Sequence, residues 1–65
     1  MKDKYAVYFR WIEDNEEDTF NVTSYKDLAK NLEDIKRRKD VELIDVMQIT
    51  RCGEYVPYEV PKKYK

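Results

Sequence analysis

Only one stretch of the chain, SYKDLAKNLEDIKRRKD (24–40), brings its apolar residues round with a helical period. Tyr25, Leu28, Ala29, Leu32 and Ile35 form one stripe at 3.6 spacing, whereas the apolar residues on either side tend to alternate. Ser24 is placed as N-cap, and Asp27 three residues on resembles a capping box. Glu33 with Arg37, and Asp34 with Arg38, are i,i+4 pairs in the favourable order. The basic run Lys36–Lys39 falls in the last turn, where cations suit the helix dipole.

Four segments flank this helix as strands. KYAVYFRWI (4–12) is β-branched and aromatic, with Tyr5, Val7, Phe9 and Trp11 on one face and Ala6, Tyr8, Arg10 and Ile12 on the other. TFNVT (19–23) alternates, and the acidic stretch before it reads as the hairpin connection. In VELIDVMQIT (41–50) the alternation slips. Ile44 and Val46 share one face while Leu43, Met47 and Ile49 share the other, and a bulge near Asp45 would reconcile them. RCGE (51–54) holds the only glycine and reads as a turn. YVPYEV (55–60) returns as an edge strand, because Pro57 cannot donate to a ladder.

The order β-β-α-β-β predicts an α+β domain: a four-stranded antiparallel sheet, order 2-1-3-4, with the helix packed on one face. With 65 residues the chain is expected to be a single domain, 1–65, whose basic end, 61–65, frays. A domain this small buries only about 60% of the surface its unfolded chain exposes, so the core is thin. Val7, Phe9, Phe20 and Val22 should meet Leu28, Leu32 and Ile35 beneath the helix.

Composition narrows the chemistry. The 13 basic and 14 acidic side chains nearly cancel, so no global field steers the chain to nucleic acid. One cysteine and no histidine exclude an internal disulfide, an intrachain zinc site and Ser–His catalysis. Cys52 is expected to be an inert thiol. Asp14, Glu16 and Asp18 have the alternation of a calcium loop but lack its glycine, and Tyr25 stands where a bidentate glutamate is needed. No cofactor and no enzymatic activity are expected. The absence of an apolar leader or long apolar run points to the cytoplasm rather than a membrane.

Two surfaces remain as candidates. One helix cannot cover both faces of four strands, so Tyr8, Arg10 and Ile12, with Tyr55 joining from the last strand, should lie on an open face. Tyrosine and arginine are enriched at binding hot spots, and the chain has six tyrosines. The second surface is the acidic run Glu13, Asp14, Glu16, Glu17 and Asp18, suited to a cationic partner. The alternative is a nucleic-acid-binding protein using the Tyr8/Arg10 face and the basic helix end Lys36, Arg37, Arg38 and Lys39. A third reading is a homodimer or larger homo-oligomer closed through the open face.

The stretches YAVYFRW, FNVTSYKDLAKNLEDIKR and VMQITRCGEYV resemble small single-domain proteins encoded by phages and conjugative elements of low-GC Gram-positive bacteria. Some proteins of that class inhibit host defence systems, anti-CRISPR proteins among them. The resemblance implies a small inhibitor and brings no site residues with it. Together these readings predict a small non-enzymatic protein-binding module, its partner unspecified, acting through the open face and the acidic run.

Overall fold

The computed structural model describes residues 2–64. Strands β1 (Tyr5–Trp11) and β2 (Glu16–Val22) form a hairpin, helix α1 (Tyr25–Arg37) crosses over, and β3 (Val41–Ile49) and β4 (Tyr55–Pro57) complete the sheet. The order is β2-β1-β3-β4, antiparallel throughout, with Pro57 on the edge strand. The expected α+β architecture is the one observed. No helix among the described residues is long and apolar enough to cross a membrane.

The hairpin is tighter than the acidic run suggests. Only Ile12–Asn15 turn, and Glu16, Glu17 and Asp18 belong to β2, opposite Trp11, Arg10 and Phe9. Asn15 makes the reversal possible at φ +55°, a conformation asparagine tolerates better than most residues. Carboxylates are poor strand formers, but β2 is an edge, where charge discourages pairing with other chains.

Ser24 caps α1, its Oγ accepting the Asp27 N–H at 3.2 Å. The helix stops at Arg37 rather than running on to residue 40: Arg38 turns extended, ψ 142°. The expected Asp34–Arg38 pair therefore gives way to a two-pronged Arg38–Asp40 bridge at 2.8 and 2.9 Å, with the guanidinium stacked 5.3 Å from the Trp11 ring. The bridge holds the Arg38 guanidinium above its ordinary pKa and the Asp40 carboxyl below its own. The apolar stripe is also narrower than its periodicity implies, since Leu28, Leu32 and Ile35 are buried but Tyr25 is exposed.

The slip in β3 is a bulge. Tyr8 pairs with Asp45 and Phe9 with Leu43, so Ile44 is the extra residue. The bulge returns Leu43 to the face of Val46, against the core, and leaves Ile44 exposed, the reverse of the assignment made by counting alternate residues. Without it, either Val41 and Leu43 or Val46 would face away from the helix.

The core joins Val7, Val22, Leu28, Leu32, Ile35, Val41, Val46 and Val60, with Phe9, Trp11 and Phe20 packed against it. Val60 arrives from beyond β4, on a segment that turns back under the helix. Of the tail expected to fray, Lys62–Tyr64 lie in a 3-10 turn (η1) and Tyr64 packs against the core, while Lys65 lies outside the described residues.

Candidate functional site

The face of the sheet turned away from α1 is assembled by strand register. β1 contributes Ala6, Tyr8 and Arg10. β2 sets Asn21, Thr19 and Glu17 opposite them, and β3 sets Met47, Asp45 and Glu42 on the other flank. β4 adds Pro57 beside Met47 and Tyr55 beside Ile49. The bulge turns Ile44 outward next to Tyr8.

This face is apolar toward β4 and charged toward the β1–β2 hairpin, with Asp45 opposite Tyr8 between the two. Ile44 and Tyr55 stand 45% and 50% exposed, with Met47, Ile49 and Tyr8 half-buried between them and Pro57 exposed beside Met47. Ala6 is buried although it faces this side, so its larger neighbours close over it and the patch is continuous there. Arg10 is committed: its guanidinium forms an ion pair with the Glu42 carboxylate across the β1–β3 ladder. Both partners remain exposed, so the pair is worth little in stability. Thr19 turns its hydroxyl back to donate to the Val7 carbonyl at 3.0 Å, and Asn21 donates to Asp3 at 3.1 Å.

Of the nine residues expected to contact a partner, Tyr8, Arg10, Glu17 and Tyr55 share this face. Ile12, Glu13 and Asp14 form the exposed hairpin tip at its end. Glu16 and Asp18 lie opposite Trp11 and Phe9 and so belong to the helix side, beside the aromatic cluster in which Phe9 meets Trp11 edge to face and Phe20 at a tilt. The acidic run is thus divided between two faces and a tip. Ile44 and Met47 were missed as surface residues. Their signal was the broken alternation in LIDVM, which shows that a bulge exists but not which residue it expels.

The basic helix end is largely engaged within the molecule. Arg37 pairs with Glu33 at 3.0 Å, Arg38 with Asp40, and the Lys36 ammonium donates to the Lys63 carbonyl. Lys39 is exposed and has no ion pair among the described residues. The packing of η1 on α1 brings Lys62 and Lys63 to the same end. Cys52 is exposed in the turn before Gly53, whose φ is +85°. Among the described residues no group of His, Cys, Asp or Glu is arranged to hold a metal ion. Compared with known proteins, the chain matches no family model, no curated protein and no solved structure.

Proposed function

We propose that this chain is a non-enzymatic protein-binding module whose contact surface is the open sheet face. One observation carries the reading: an uncovered band of Tyr8, Ile44, Met47, Ile49, Tyr55 and Pro57 spans three adjacent strands. Tyrosine and aliphatic side chains on a rigid sheet lose little conformational entropy on binding and exclude water well. Glu17 and Asp45 beside them would set orientation and favour a partner with a basic rim. The hairpin tip, Ile12 to Asp14, extends the same surface at one end. Inhibition of a cytoplasmic protein, as some small phage and mobile-element proteins act, is the use we assign to it.

The test is affinity capture from the native host with wild type, Tyr8→Glu and Tyr55→Glu, after circular dichroism has shown that all three fold alike. The proposal expects a partner held by wild type and lost by both variants. A partner retained by both excludes the face. A dimer in light scattering that Tyr8→Glu dissociates would make the face a self-interface instead.

A nucleic-acid reading draws on one observation, the juxtaposition of Lys62 and Lys63 with Lys36 and Arg37. It requires binding to short oligonucleotides that weakens steeply with salt and is lost in Lys62→Ala/Lys63→Ala.

A further inference from the structure

The sheet has a half-finished edge. β4 pairs with only the last part of β3, Met47–Ile49, and one more bond runs from the Tyr58 N–H to the Val46 carbonyl at 3.1 Å. The chain then leaves the edge, carrying Val60 into the core, and Pro61 has no N–H with which to resume pairing. The first half of β3, Val41–Asp45, is left with β1 on one side and no strand on the other.

Register determines which main-chain groups are free. The Ile12 N–H donates to the Asp40 carbonyl at 3.0 Å, and pairing continues as Trp11 with Val41, Arg10 with Glu42 and Phe9 with Leu43. In an antiparallel ladder hydrogen-bonded and non-hydrogen-bonded pairs alternate. Glu42 therefore turns its N–H and carbonyl toward β1, while those of Val41 and Leu43 point outward. Among the described residues, no backbone bond outside the ladders reaches Val41 or Leu43.

These groups open on a cleft of about 570 Å³ between β3 and the returning segment, with Ile35, Leu43, Tyr58 and Val60 among its walls. Of its cations, Arg38 is paired with Asp40, while Lys36 donates to the Lys63 carbonyl and keeps its charge. The Asp45 and Glu59 carboxylates at its rim have no cationic partner among the described residues.

We propose that Val41–Asp45 is a strand-addition site for an extended peptide segment in which aliphatic residues alternate with lysine or arginine. The free N–H and carbonyl groups of Val41 and Leu43 would supply the ladder. The peptide's aliphatic side chains would enter the cleft, and its basic side chains would meet Asp45 on the opposite side of the strand, Glu42 there being already paired with Arg10. A second copy of the chain is the poorer occupant, because its own Val41–Asp45 edge carries carboxylates and no basic side chain. The site shares the Asp45 carboxylate with the open face, but its main-chain groups and its cleft lie outside that face.

The experiment uses chemically synthesised full-length protein, wild type and with Leu43 replaced by N-methyl-leucine, which keeps the side chain and removes the donor. The probe is a short capped peptide of alternating lysine and valine, with a glutamate–valine peptide as control, followed by amide NMR. The lysine–valine peptide is expected to shift the Val41 and Leu43 amides and to bind the N-methyl protein about tenfold more weakly, the scale of one charge-flanked main-chain bond. Asp45→Asn should weaken it as well, and the glutamate–valine control should not bind. The proposal is overturned by absence of binding, by shifts confined to other strands, by equal binding of both peptides, or by self-association at Leu43. Should the N-methyl protein unfold, the amide shifts of the wild type and the loss of binding in Asp45→Asn decide the proposal.

Discussion

Replacing Leu32 with alanine tests the packing of helix on sheet most directly. Leu32 is 2% exposed and shares its buried cluster with Val7, Leu28, Ile35 and Val46, so it ties the helix to both central strands. Losing its side chain beyond Cβ forfeits about 0.8 kcal/mol per carbon, roughly 2.4 kcal/mol in all, before any cavity is counted. The cavity term brings buried Leu→Ala substitutions into the range of about 2–5 kcal/mol. We expect about 3 kcal/mol here. For a domain of this size that corresponds to roughly 12–24 °C in Tm. A chain of 65 residues has on the order of 3–10 kcal/mol of stability to lose, so the variant should stand near the limit of folding. Urea denaturation followed by far-UV circular dichroism measures it, with the slope unchanged if both proteins unfold in two states. Ile44→Ala is the control: the same chemical deletion at an exposed bulge residue should cost within about 0.5 kcal/mol. If Leu32→Ala melts within about 2 °C of wild type, or costs no more than Ile44→Ala, the helix does not seat on the sheet as described.

The two positive-φ positions should respond oppositely to glycine and alanine. Asn15→Gly should be neutral or slightly stabilising, whereas Asn15→Ala and Gly53→Ala should each lose about 1 kcal/mol by thermal melting, although open space surrounds Gly53. Tyr58 titrates above its ordinary value of 10.0, first because burial disfavours the phenolate and then because Tyr25 and Tyr5 lie near it. The fold favours its neutral form, so its contribution is complete below pH 10 and lost as pH rises through the folded-state pKa. Spectrophotometric titration should show a late-titrating phenol that is absent in Tyr58→Phe. Asp40 has the opposite sign: Arg38 holds its pKa down, so its contribution is present above the ordinary carboxylate range and lost on acidification. NMR titration of the Asp40 carboxyl in Arg38→Gln should return it toward 3.8, and an unchanged midpoint would refute the bridge.

The residues that determine element type act locally, and those elements were legible. The helical stripe of Leu28, Leu32 and Ile35, the Ser24 cap and the placement of Pro57 at an edge follow from side-chain spacing and from a missing N–H. The strand order follows from them, because one short helix between two hairpin-forming pairs has few ways to cover a sheet. Which acidic residues belong to the turn was not legible. The β1–β2 register, with Val7 opposite Phe20 and Tyr5 opposite Val22, draws Glu16 to Asp18 into the ladder against their own propensity. The helix end was hidden too, because Arg38 leaves the helix for Trp11 and Asp40, partners that exist only once β1 and β3 are side by side. The candidate surface divides in the same way. Tyr8 and Tyr55 could be assigned to the open face by counting alternate residues from the core. The outward turn of Ile44, and the bare edge at Val41 and Leu43, depend on where a bulge falls and where β4 stops. Those are decided by long-range pairing and by the burial of Val60, a residue well separated in sequence from the β3 edge it leaves uncovered.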